Sequence, residues 1–372
     1  MTDNTGPSGA WSGDLAIAKQ GCLYVGGRYH EVAQDGGGQG HVMAGQAYVE
    51  YQVPARRRHE LPIVMIPGGC QSGTCFTQTP DGRDGWAQFF LREGYAVYVM
   101  EQPGRGRSAH HPEIQGTLRG ATAEAVSRTF TAPARHNLYP HAERHSQWPG
   151  TGEPGDPVFD AFYASQLNNL VDRDIIQHDN QSAGAALLDE IGPAILMTHS
   201  QSGTFGWLIA DSRPSLVKAI IAVEPGCAVG FIEPIGPPDW FEYSGVARAW
   251  GLASIPLTYD PPVSDPAELD FVLAEEADAP GLARCWLQAE PARKLANLAG
   301  LPVAVVSAEA SFHSAYDPNT ARFLRQAGVA AEYVGLADKG IHGNGHMMML
   351  EKNSDEIAAL IHSWIGRNVP GA

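Results

Sequence analysis

Residues 195–203 read Ile195-Leu196-Met197-Thr198-His199-Ser200-Gln201-Ser202-Gly203, an apolar run that stops abruptly in small and polar residues. A buried strand that breaks at a serine, with small residues two positions away on each side, has the form of a nucleophile elbow. The serine crosses from strand to helix in a strained turn, which lifts its hydroxyl clear of the sheet and beside a helix N-terminus. Strand and helix pass close together there, so positions 198 and 202 have to be small. Here the usual Gly-X-Ser-X-Gly becomes Thr198-His199-Ser200-Gln201-Ser202, which keeps the steric logic without the glycines. Ser202 is the rival nucleophile. Centring on it would put Thr204 at a small position and Gly203 inside the turn, so Ser200 is preferred.

The elements on either side fit that turn. Upstream, two N-terminal strands are expected near residues 21–28 and 41–53, where Val49, Tyr51 and Val53 alternate on one face. Residues 61–66 form a continuous apolar run of the buried parallel type and end in Pro67-Gly68-Gly69-Cys70. A helix over 86–93 closes on Gly94, and a strand over 95–100 runs into Gly104-Arg105-Gly106-Arg107-Ser108. Downstream, a helix over 201–211 and a strand over 216–223 follow the elbow. The core pattern resumes with a strand at 301–306, a helix at 319–327, a strand at 331–336 and a helix at 354–365. Two stretches, about 109–180 and 226–299, lose periodicity and are rich in Pro, Gly and aromatic residues. A helix over 182–191 feeds the elbow strand. Strands alternating with helices imply right-handed crossovers and a mostly parallel central sheet with helices on both faces. The two irregular stretches are expected as cap insertions of one α/β domain spanning 1–372.

Composition narrows the class. The chain has 372 residues, 44% of them hydrophobic and 18% charged, with a net charge of −16. That acidity repels phosphate backbones and anionic headgroups, so neither nucleic acid nor an anionic membrane surface is expected as partner. No apolar run approaches the ~18 residues of a membrane span. The polar stretch from Met1 to Asp14 lacks the basic start and apolar run of a signal peptide, so a cytoplasmic location is expected. Five scattered cysteines contain no CxxC pair and support neither a zinc knuckle nor a disulfide framework. Cys70 and Cys75 are close enough in sequence to bridge, but reduced thiols are the default.

Four features fall at the C-terminal ends of strands, where an open α/β sheet places its site. Ser200 follows one strand and Glu224 the next, in Val223-Glu224-Pro225-Gly226. Gly343-Asn344-Gly345-His346-Met347 follows the last strand. The loop after Ile66 offers backbone N–H groups. Serine, acid and histidine in this chain order support nucleophilic catalysis: His346 takes the Ser200 proton, and Glu224 orients the imidazole. Backbone N–H groups of Gln201 and of Gly69 or Cys70 would face the developing oxyanion. Glu309, after the 301–306 strand, is the rival acid; Glu224 is preferred because it sits directly at a strand end. His342 and His346 are four apart, but Gly-Asn-Gly between them is not helical and no zincin glutamate accompanies them, so neither metal nor cofactor is expected. Gly104-Arg105-Gly106 matches no Walker pattern and reads as a turn.

With these motifs in place, the chain resembles an α/β-hydrolase, and more narrowly a small group of bacterial carboxylesterases whose elbow reads His-Ser-Gln-Ser-Gly. The resemblance rests on Tyr24-Val25-Gly26-Gly27-Arg28, on Thr79-Pro80-Asp81-Gly82-Arg83 with Gly85-Trp86, on residues 104–108 and 199–203, and on His342 to Met349. It implies an ester-cleaving triad whose acid follows the strand after the elbow, which carries over to Glu224. That group places two adjacent cysteines in the oxyanion loop where this chain has Gly69-Cys70, and its members are exported. Serine-dependent cleavage of a small-molecule carboxylic ester or lactone through an acyl-enzyme is therefore expected. The alternatives are amide or carbon–carbon bond hydrolysis by the same triad, or ligand binding on a hydrolase scaffold. Oligomeric state is not legible; a homodimer is the expectation.

Overall fold

A computed structural model describes residues 14–371. The leader question raised by Met1 to Gly13 lies outside them. Eight strands form one sheet: β1 (Ile17–Ala33), β2 (Gln39–Pro54), β3 (Ile63–Ile66), β4 (Val97–Met100), β5 (Ala194–His199), β6 (Val217–Val223), β7 (Pro302–Ser307) and β8 (Ala330–Gly335). Their spatial order is β1-β2-β4-β3-β5-β6-β7-β8. β1 and β2 form an antiparallel hairpin, β2 joins β4 antiparallel, and every other neighbouring pair is parallel.

The continuous apolar strands follow from coverage of both faces. Side chains alternate across a strand, so Ile63, Met65, Ile195, Met197, Ile221 and Val223 face one core, and Val64, Ile66, Leu196, Ile220 and Ala222 the other. Among the described residues, six helices reach eight residues: α1 (Trp86–Glu93), α2 (Pro157–Ala164), α3 (Arg173–Ile191), α4 (Ser202–Ser212), α5 (Asp317–Gln326) and α6 (Ser354–Asn368). α1 and α6 cover the first face with Trp86, Phe90, Ile357, Ile361 and Trp364. α3, α4 and α5 cover the second with Leu187, Phe205, Leu208, Phe323 and Leu324. Gly94 closes α1 in the left-handed region, as its position after Glu93 predicts.

Helix α3 departs from expectation. It begins at Arg173, nine residues before the expected 182, so the first insertion ends near 172 rather than 180. Its first turns hide their period because Gln177 and Asn180 are buried together with Ile176. Gln177 is satisfied across the interface: its amide donates to Ser254 Oγ at 2.7 Å and its oxygen accepts from Ser254 N–H at 2.8 Å. Asp172 starts the helix by accepting from the N–H groups of Asp174 and Ile175. The stretch 226–299 is richer in strands than its prolines suggest. It carries a hairpin of Gly230–Gly236 with Trp240–Val246 and two shorter antiparallel pairs. All five cysteines are free. Among the described residues, no helix is long and apolar enough to cross a membrane.

Candidate active site

The β5–α4 turn is built as the sequence demands. Ser200 sits at φ 55, in the left-handed region, and donates its N–H to the Val223 carbonyl at 2.9 Å. Ser202, the rival nucleophile, is fully buried. Its hydroxyl accepts from the His199 N–H at 2.8 Å and donates to the Ile66 carbonyl at 2.7 Å, which ties the elbow to β3. Close packing enforces the small residues: a Cβ on Gly203 would lie 2.3 Å from Pro225 Cβ, and one on Gly68 would lie 3.0 Å from Ser200 Cβ.

Three side chains from distant loops converge here. His346 Nε2 lies 3.0 Å from Ser200 Oγ, and His346 Nδ1 lies 2.5 Å from Glu224 Oε2. Glu224 stands directly after β6 at φ 46, its N–H bonded to the Val306 carbonyl. Its carboxylate also accepts from the Ala308 N–H at 2.8 Å and the Ser311 hydroxyl at 2.7 Å. Glu309 lies elsewhere, taken up by Arg144, His342 and the Gly343 N–H. The structure thus joins Ser200, His346 and Glu224 and leaves His342 and Glu309 outside.

Burial sets the electrostatics. It pushes the Glu224 carboxyl upward, while His313 and the Ala308 and Ser311 donors pull it back toward the charged form. It holds His346 well below the ordinary imidazole range, and the neighbouring His199 and His313 add to that. The His346 ring is enclosed by other rings: Phe130 at 5.3 Å, Phe312 at 5.1 Å, and His199 and His313 each at 4.6 Å between centroids. Its loop is clamped by buried Glu351, which accepts from the Asn344 amide, the Gly345 N–H and His145 Nε2.

Glu224, His313 and His346 bring ligand atoms within 4.8 Å of one another, a constellation that is able to hold a metal. Their atoms are already engaged. Both His346 nitrogens face Ser200 and Glu224, and His313 Nδ1 lies 3.2 Å from Asp317 Oδ1. The chemistry this favours is proton transfer.

One expected oxyanion donor needs correcting. The Cys70 N–H donates to Asn169 Oδ1 at 2.8 Å, with Cys70 itself at φ 57, so it is spent on that side chain. Gly69 and Gln201 remain. Arg105, expected only as part of a turn, grips this loop from behind. Its guanidinium donates to the Gly68 carbonyl at 2.7 Å and to Gln201 Oε1 at 3.0 Å, and so links the two segments that carry those N–H groups. Burial lowers its pKa to about 10. Sequence reasoning also missed Asn169, His313 and Glu351. Only Arg105 had left a signal, in the Gly-Arg-Gly-Arg-Ser string.

Comparison with known proteins bears on the fold and the reaction class. The model of the alpha/beta hydrolase family matches residues 63–360. The chain is 44% identical to a probable secreted lipase, phiG, of a fungal species (strain ATCC 74256), over 92% of this chain and 88% of that one. It also superposes on a novel bacterial esterase solved at atomic resolution, with a TM-score of 0.63, 24% identity, and coverage of 96% of this chain and 98% of that one. At that identity the superposition shows a shared fold. The fungal relative corrects the expected location: its name points outside the cell, not to the cytoplasm.

Proposed function

The chain belongs to the alpha/beta hydrolase family, and on that premise we propose that it is a carboxylic ester hydrolase acting through Ser200, His346 and Glu224. The observation that carries this is the unbroken run of contacts from Ser200 Oγ through both His346 nitrogens to Glu224, at 3.0 and 2.5 Å. Ser200 Oγ attacks the ester carbonyl carbon as His346 Nε2 accepts its proton. Negative charge gathers on the carbonyl oxygen, facing the N–H groups of Gln201 and Gly69, each worth about 3 kcal/mol at the barrier. His346 then gives the proton to the departing alkoxide, leaving an acyl-serine. Water attacks that ester with His346 as base, and the acid leaves with Ser200 restored. Glu224 holds the imidazole with Nε2 toward the serine and offsets its transient charge. The segments after β4 and β6 supply the cap, since Phe130 from one and Phe231 from the other reach the site.

The test is turnover of short p-nitrophenyl esters, together with phosphonate labelling. Ser200→Ala is expected to lower kcat by about 10⁴-fold or more and to abolish labelling. Wild-type turnover by that variant overturns the proposal.

A further inference from the structure

The cavity beside Ser200 measures about 310 Å³. That is near the lower limit of small-molecule sites, which run from roughly 300 to 1,000 Å³. Its wall includes Ser200, Gln201, His313 and Phe231, and with them two arginines, Arg173 and Arg248. Arg173 comes from the first turn of α3 and Arg248 from the segment after the Gly230–Gly236 hairpin. Both stack on Phe231, their guanidinium carbons 4.2 and 4.5 Å from its ring centroid.

Unpaired arginines occur elsewhere on this chain, Arg284 over Tyr243 among them, but Arg173 and Arg248 are the two that line the cavity holding Ser200. Arg107, Arg213 and Arg322 each pair with a carboxylate. Among the described residues, no carboxylate lies within 4.0 Å of Arg173 or Arg248. Glu233 shares the cavity wall but is exposed and pairs with neither. Arg248 spends Nη1, donating to the Gly230 carbonyl at 3.1 Å and to Cys227 Sγ at 3.7 Å, and its Nε and Nη2 edge is left over. Stacking on an aromatic face uses the flat side of a guanidinium and leaves its in-plane N–H fork available, the edge that matches a carboxylate or phosphate. Both residues line the cavity, Arg173 exposed and Arg248 half-buried, in a chain of net charge −16. With Glu233 counted, the wall keeps a net positive charge, which an anionic substrate group would meet and a neutral acyl chain would not.

We propose that the substrate is a small ester carrying a second, anionic group, held by Arg173 and Arg248 while its carbonyl meets Ser200. This rests on the serine-hydrolase reading above and names the substrate class for the same site.

Calorimetry on Ser200→Ala separates binding from turnover. The probes are monomethyl glutarate, its neutral counterpart dimethyl glutarate, and methyl 3-phosphonopropanoate. At least one anionic probe is expected to bind about tenfold tighter than the neutral diester or better, and the stronger of the two identifies the anion. Adding R173M and R248M is expected to erase that preference, whereas R173K and R248K, which keep the charge but lose the fork, are expected to keep only part of it. If the double methionine variant does not fold, each single variant, losing one charge, gives the same comparison. Equal binding of all three probes, or a preference that survives both methionines, overturns the inference. Turnover by the wild type is read in parallel on p-nitrophenyl hydrogen glutarate and p-nitrophenyl pentanoate. If no ester is turned over while the anionic probe still binds, the hydrolase reading fails and takes the ester substrate with it, leaving Arg173 and Arg248 as an anion-binding pair; turnover without anion preference overturns this inference alone.

Discussion

At the scale of single residues, backbone strain marks the site. Seven non-glycine residues among those described have positive φ, and Cys70, Ser200 and Glu224 are three of them. Each such conformation costs on the order of 1–3 kcal/mol and persists only where its surroundings impose it. For Ser200 and Glu224 the cost accompanies a side chain turned out of a strand end. If Glu224 orients His346, Glu224→Gln is expected to lower kcat/KM by about 10²–10⁴-fold, while Glu309→Gln stays within about twofold; steady-state kinetics on one activated ester compares them. The pH profile follows from His346. Its pKa is depressed, so the neutral, proton-accepting form persists below pH 6.5, and the acid limb of kcat/KM is expected well below that value. Phe130→Ala admits water to the ring, which restores the charged form and moves that limb upward toward 6.5. An unmoved limb would mean that Phe130 plays no part in excluding water.

The three converging residues were legible because Ser200 and Glu224 each punctuate a strand end and His346 is flanked by glycines in the loop beyond the last strand. Their supports were not. Arg105 and Asn169 act by bonding backbone atoms of remote loops, and Glu351 ties its own loop to the distant His145; no spacing in the chain reveals such partners.

At the scale of elements, these supports are the parts to test. Arg105 reaches the β3 loop and Gln201 at once, so Arg105→Met is expected to lower kcat about 10- to 100-fold with little change in KM, as loosened oxyanion donors would. A KM change of the same size would show that it serves substrate binding instead. Glu351→Gln keeps the shape of the clamp but removes its charge from three donors. Thermal unfolding and kcat are both expected to fall, by a few degrees and roughly tenfold. Strands β3 to β8 were readable within about three residues, since covered parallel strands are continuously apolar. The start of α3 was not. Its buried Gln177 and Asn180 break the apolar stripe, and only the arrival of Ser254 from the second insertion makes a buried Gln177 affordable.

At the scale of the molecule, two cores share one sheet, and the strands between them have the least room to adjust. Ile221, fully buried in β6, is expected to cost about 2–5 kcal/mol on replacement by alanine, read from denaturant midpoints at constant slope. A loss under 1 kcal/mol would mean that the sheet centre relaxes more than its packing suggests. The architecture was legible from element order alone. Location was not, because a cytoplasmic expectation drawn from an N-terminal stretch is outweighed by a relative named as secreted.

The Ser200 N–H rests on the Val223 carbonyl, and the Glu224 N–H on the Val306 carbonyl. Nucleophile and acid are thus mounted on successive rungs of one ladder, whose pitch of about 4.8 Å the protein cannot retune locally. Descendants of this chain are therefore free to exchange what hangs above the rungs, altering diet without disturbing the teeth.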